Sequence, residues 1–239
     1  KRPIAWGAGA LAILLALSIP LVGLRTAMPS IAVLPSDASA RIGYNDVKQA
    51  FGDGAPGTLQ VIIGTAKAEE AQRVLNDDPG ISGVMPAMAA EDGSGLSMIT
   101  AVPSVDPSDA ALAGTVERLR HDLPDGSLVG GAAVENIDLK NQLDASTPLV
   151  IAVVLLLGFV LLLVALRAPL IALLGTILSL LSTAAAFGVA RLVFQDGIGA
   201  GLFGFESQGF LDAWAPVFFF AMIFAIAMDY TVFLLSSAK

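Results

Sequence analysis

Four stretches of the chain are almost continuously apolar, covering 3–23, 149–166, 169–193 and 213–235. Each is close to the roughly 20 residues that cross about 30 Å of hydrocarbon at about 1.5 Å per residue. A helix satisfies its backbone hydrogen bonds internally, which lipid demands of any segment inside it. The pattern therefore predicts four membrane-spanning helices. The first run follows Lys1 and Arg2, as a signal peptide would, but it is long for such a segment and residues 25–29 make a poor small-x-small cleavage site. It is read as a span. The chain begins without methionine and stops at Lys239 directly after an apolar helix, so a longer polypeptide is expected.

Between the first and second runs the period changes. Residues 58–65 (TLQVIIGT) predict a strand, and 68–76 a helix closed by Asp78, Pro79 and Gly80. Residues 81–85 and 96–102 predict two more strands around the turn-rich 90–95, then 109–121 a helix and 127–129 a short strand. The resulting order, β-α-β-β-α-β, is that of a ferredoxin-like fold. Residues 132–144 predict a further helix leading toward the second span. The fold class expected is an α+β membrane protein, with spans at 1–24 and within 147–239, and an α+β domain over 25–146.

Composition sharpens this reading. The net charge is −8, and the interval 25–147 holds 17 of the 21 acidic residues against 8 basic ones. So acidic a domain disfavours nucleic acid and anionic headgroups as partners. The absence of cysteine excludes disulfides and thiolate sites, and a single histidine, His121, excludes a His-based metal cluster. His121 is read as a surface residue near a helix end. Gly52, Gly54 and Gly57 are followed by no Lys-Ser/Thr pair and are read as turn residues rather than a phosphate loop. The basic residues Lys1, Arg2, Arg167 and Lys239 fall on one side of the four spans, which puts that side in the cytoplasm and the α+β domain outside. Arg191 dissents, at the outer end of its run, where snorkelling or a meeting with Asp196 would accommodate it.

The residue that stands out is Asp229, with Tyr230 beside it, inside VFFFAMIFAIAMDYTVFLLSS. A carboxylate in hydrocarbon is costly and its neutral form is favoured there, so such a group is a functional candidate suited to taking up and releasing a proton. Counted from Trp214, it lies roughly 22 Å along the helix at about 1.5 Å per residue. Ala221 and Ala225 precede it at four-residue spacing. The third run offers a small, hydroxyl-bearing face of Gly175, Ser179, Ser182 and Ala186, with Thr183 beside it. These groups suit helix packing or a hydrogen bond to the carboxylate. The bland alternative is a buried Asp229 that only fixes packing. Glu206 and Asp212, among Phe203, Phe205 and Phe210, are read as an interfacial stretch, with a substrate entrance as the alternative.

Two segments carry a family resemblance. One is GLRTAMPSIAVLPSDASARIGYNDVKQAFGDG after the opening helix; the more specific one is LFGFESQGFLDAWAPVFFFAMIFAIAMDYTVFLLSS. Through them the chain resembles the MmpL-type transporters of the RND superfamily, and it looks closer to the second of that family's two homologous halves. The resemblance implies a multi-pass plasma-membrane exporter of lipids or other hydrophobic molecules, driven by the proton gradient without a cofactor and without enzymatic catalysis. Asp229 and Tyr230 match one of the family's Asp-Tyr relay pairs, and 25–146 matches an extracytoplasmic porter domain. The partners implied are the bilayer, a hydrophobic substrate and the missing homologous half. An intramembrane aspartyl protease would need a second carboxylate and a Gly-x-Gly-Asp context, both lacking in the spans. A non-transporting relative that senses lipid or assists secretion is the remaining alternative.

Overall fold

The computed structural model describes residues 2–237, with the side chains of Phe203 and of residues 234–237 left outside the description; Lys1 and Lys239 also lie outside it. In chain order the elements are α1 (Pro3–Ser18), β1 (Thr26–Ala27), α2 (Ser39–Phe51), β2 (Leu59–Gly64), α3 (Ala68–Asp77), β3 (Ile81–Val84), β4 (Met88–Ala89) and β5 (Leu96–Pro103). There follow α4 (Ala111–Asp122), β6 (Leu128–Gly130), α5 (Ala132–Leu166), α6 (Pro169–Ala190), α7 (Ala200–Phe203), β7 (Leu211–Asp212) and α8 (Ala215–Ser237). They divide into two compact units, one of Met28–Asn141 and the other of the remaining residues.

In the first unit the sheet runs β3-β5-β2-β6, with β4 on β5, and every described pairing is antiparallel. Alternation decides its inner face. Leu59, Val61 and Ile63 of β2, Ile99 and Ala101 of β5 and Val129 of β6 are buried, while their neighbours along each strand are not. Ala68, Ala71 and Leu75 of α3 and Leu112, Val116 and Leu119 of α4, spaced by three and four residues, close the same core with Ala133 and Val134. Asp78 ties the helices together by accepting from Arg118 Nε at 3.2 Å and Nη2 at 3.0 Å. Arg120 grips Asp138 of α5 with Nη1 at 2.8 Å and Nη2 at 2.6 Å. His121 is exposed, its Nδ1 2.8 Å from Asp122 Oδ1.

Helix α2 has no counterpart in the predicted elements. Tyr44, Val47 and Phe51 recur at three- and four-residue spacing, a helical period that the sequence reading passed over, and none of its residues is buried. Polar contacts hold it instead. Asp106 accepts from Tyr44 OH at 3.0 Å and Lys48 Nζ at 2.9 Å, and Ser108 donates to it through both its backbone N at 2.9 Å and its hydroxyl at 2.7 Å. Burial opposes ionisation of Asp106, but these bonds prevail and lower its pKa to about 2. The Tyr44 hydroxyl is pushed up from its usual range by burial and by the same carboxylate.

The second unit holds the apolar helices. Four described helical segments, Pro3–Gly23, Ala132–Leu166, Pro169–Gln195 and Ala215–Phe233, are long and apolar enough to cross a membrane. The second begins earlier than its apolar run. Residues 132–144 and 149–166, predicted as separate pieces, form one helix of 35 residues that continues through Pro148 and has residues in both units. Proline removes one backbone bond, and the helix nevertheless continues on both sides of it. Arg167 turns the chain between α5 and α6 with φ 53°, a left-handed conformation uncommon for a side chain of this size.

Helices α1 and α6 meet where Gly188 lies against the carbonyl of Leu17: a Cβ at Gly188 would sit 1.8 Å from that oxygen. Gly9 of α1, by contrast, has nothing within 4 Å of such a carbon. Gly188→Ala is therefore expected to destabilise the chain by about 1–3 kcal/mol through overpacking, and Gly9→Ala to be neutral or slightly stabilising. Thermal melts in detergent compare the two.

Acid should loosen the sheet-bearing unit. Asp106 is held below its unfolded value, so its contribution is present above that value and lost as pH falls through the folded one. The loss, about 2 kcal/mol between about pH 4 and pH 2, is expected in circular-dichroism melts and should vanish in Asp106→Asn. Asp78 and Asp138, each lowered by its arginine, shift the melts in the same direction.

Candidate functional site

Helix α8 is preceded by an Asx turn, Asp212 Oδ1 accepting from the backbone N of Trp214 at 3.0 Å. Its buried face is set by four-residue spacing. Phe220, Phe224 and Met228 are 5%, 1% and 4% exposed, and the first two rings stack at 5.7 Å and 12°. Gly158 of α5 makes room for them, since a Cβ there would lie 2.7 Å from Phe224 Cε1 and 2.8 Å from Met228 Sδ. Thr231 continues the inward side toward α6, where its Oγ1 lies 3.5 Å from Ser179 Oγ. A Cβ on Gly175 would touch both Thr231 and Leu162 at 3.2 Å.

Asp229 belongs to a different face. A step of about 100° per residue carries it and Tyr230 away from the Phe224–Met228 line. Both are exposed on the described chain, alongside Met222, Ile226 and Phe233, with Tyr230 at 68%. Ala225 is exposed and Ala221 half-buried. The result is one carboxylate and one phenol in an uncovered and otherwise apolar strip of a membrane-length helix.

The hydroxyl face of α6 does not meet that strip. Ser179 and Thr183 are 3% and 0% exposed, and Thr183 Oγ1 donates to the Ser179 carbonyl at 2.9 Å, a local bond that leaves it little for another helix. Ser182 is half-buried. The polar contact between α6 and α8 runs from Ser179 to Thr231, a residue that sequence reasoning did not single out. The available signals were a hydroxyl two residues past Asp229 and a glycine, Gly158, inside an apolar run.

The loop between α6 and α8 is held by its own contacts. Ser207 Oγ lies 2.7 Å from both the Phe194 and the Gln195 carbonyls, and the Phe194 and Phe205 rings lie 5.5 Å apart. Glu206 and Asp212 are both exposed, and Asp212 holds the turn before α8. Arg191 meets Asp196, Nε to Oδ2 at 3.6 Å, and its Nη1 donates to the carbonyl of Pro20.

Comparison with known proteins adds the family context. The family model described as "MMPL family" matches residues 60–239. The "Heme uptake protein MmpL11" of Mycobacterium tuberculosis (strain CDC 1551 / Oshkosh) is 31% identical over all of this chain and 26% of its own length. The "Mycolic acid-containing lipids exporter MmpL11" of Mycolicibacterium smegmatis is 30% identical over the whole chain and 27% of its own length. "Membrane protein YdfJ" of Bacillus subtilis is 29% identical, again over the whole chain and over 34% of its length. The chain therefore spans about a quarter to a third of these curated relatives.

The exposure difference on α8 is directly measurable. A membrane-permeant maleimide is expected to label Asp229→Cys at least tenfold faster than Met228→Cys in the chain as described here, because only the former position is uncovered. Mass spectrometry of the intact chain reads the two rates.

Proposed function

The chain belongs to the MMPL family, and from that premise we propose that it is part of a proton-motive-force-driven membrane transporter that exports lipids or other hydrophobic molecules. The observation that carries the reading is Asp229, a carboxylate on an uncovered face of a membrane-length helix. Such a group is retained in a hydrocarbon-facing sequence only where protein or water receives it, and it marks an ion path by default. Asp229 is the group that accepts and gives up the proton, and Tyr230 is its neighbour in the relay. The remainder of the longer polypeptide covers this face and supplies the opposing groups, in keeping with relatives three to four times as long.

The same reading makes the sheet-bearing unit a ferredoxin-like, extracytoplasmic porter domain, supported by its strand order and by the basic residues on the opposite side of the spans. The protein is then multi-pass in the cell membrane, needs no cofactor beyond the proton gradient and forms no covalent intermediate with its cargo. The cargo class and the direction rest on the name of one relative, a mycolic acid-containing lipids exporter; another is named a heme uptake protein. Ser179, Ser182 and Thr183 take supporting roles in packing, with Thr231 the contact between α6 and α8, and Ala225 keeps the uncovered face beside Asp229 small.

Asp229→Asn in the full-length protein tests the proposal. In proteoliposomes under an imposed pH gradient, the variant is expected to lose proton flux and lipid extraction together, by at least about tenfold. Tyr230→Phe is expected to slow both less. Normal flux and extraction by a correctly inserted Asp229→Asn protein would reduce Asp229 to a packing residue.

A further inference from the structure

The one basic residue that breaks the charge pattern is also the start of an irregular turn. After Ala190, helix α6 widens into a π-helical turn, Arg191–Gln195, closed by the Asp196 amide donating to the Arg191 carbonyl at 3.0 Å. Such turns are uncommon and cluster at functional sites. Arg191 and Gln195, four apart, aim at the same stretch of distant chain. Arg191 Nη1 donates to the Pro20 carbonyl, Gln195 Nε2 donates to the Gly23 carbonyl at 3.0 Å, and Gln195 Oε1 accepts from the Arg25 amide at 2.8 Å. The Gln195 amide thus behaves like a short piece of neighbouring strand.

The other edge of this stretch is held too. The Leu211 amide donates to the Arg25 carbonyl at 2.8 Å, the Ala213 amide donates to the Ala27 carbonyl at 2.9 Å, and β1 pairs in parallel with β7. Gly23 lies directly under the guanidinium, a Cβ there falling 2.6 Å from Arg191 Nη1. Ser207 already takes up the Phe194 and Gln195 carbonyls, so the two long side chains are not occupied in capping their own helix. On its opposite stretch α6 carries Ser179 against Thr231, two residues past Asp229.

We propose that Arg191 and Gln195 are positioning residues forming a clasp that joins the outer end of α6 to residues 20–27. A displacement of α6 then moves the segment through which the chain passes into its sheet-bearing unit at Met28. The role in transport rests on the reading given under Proposed function; the existence of the clasp does not. Replacing Gln195 removes a donor and an acceptor at once, and no residue of the same helix is aimed to replace them.

The full-length protein, with this chain free of native cysteine, suits a cross-linking test. Gln195→Leu is expected to raise hydrogen exchange at the Arg25 amide about fivefold, the equivalent of one lost hydrogen bond. Its extraction of a fluorescent phosphatidylethanolamine from proteoliposomes should fall at least about tenfold, which a packing defect of one bond would not produce. An Arg25→Cys, Gln195→Cys protein should be equally slow, should recover when a short bismethanethiosulfonate bridges the two thiols, and should slow again on reduction. Unchanged exchange at Arg25 in both Gln195→Leu and Gln195→Glu would overturn the clasp. Faster exchange with normal extraction, or slow extraction that the bridge does not restore, would overturn its mechanical role. If the unmodified protein moves neither protons nor the probe lipid, the transporter reading fails, and the exchange result alone then decides on the clasp.

Discussion

Hydrocarbon offers a helix no hydrogen bonds and little hydrophobic reason to prefer a neighbouring helix to lipid, so close approach must supply the contact. The helical unit is organised around this constraint. Gly188 brings α6 onto the backbone of α1, Gly158 receives Phe224 and Met228 of α8, and Gly175 admits Leu162 and Thr231. At each of these places dispersion and shape do the work that burial from water does in a soluble core. The hydroxyls of Ser18, Thr176, Thr183 and Thr231 return to carbonyls one turn back and so remain satisfied in an apolar setting.

The sheet-bearing unit obeys the opposite rule. Its core is a layer of branched and small side chains between the sheet and two helices, and its charges lie outside, many of them paired. Strand alternation and helical spacing agree about the same residues there, which is the condition for a sequence to specify one packing. The exception is α2, whose place depends on a single half-buried carboxylate, Asp106, gathering a phenol, an ammonium and a serine. A polar anchor of this kind has no periodic signature.

Against this background Asp229 and Arg191 are two ionisable groups in apolar helices with opposite treatments. Arg191 is received within the described chain, by a backbone carbonyl and by the nearby Asp196. Asp229 is left uncovered beside Tyr230, while Met228 one position earlier, Phe224 a turn before that and the threonine two positions later make the contacts. A carboxylate left open on an apolar face is costly in lipid until protein or water receives it.

By itself the sequence determined the four apolar helices, the alternating strands over 58–129 and the identity of Asp229 as the residue to explain. Length, period and the cost of a carboxylate in lipid are local properties that a single chain segment carries. It also carried the segment over 202–237, which lies within the residues that the family model matches. Only the tertiary structure decided that α5 runs unbroken through Pro148, that α2 exists, and that Ser179 meets Thr231 instead of Asp229. The rotation of a fully apolar helix is set by where its neighbours have glycine, and that is information held on other segments. For the same reason Arg191 looked like a misplaced charge until the carbonyls of residues 20 and 23 were seen beside Arg191 and Gln195, since such a meeting joins positions about 170 apart in sequence.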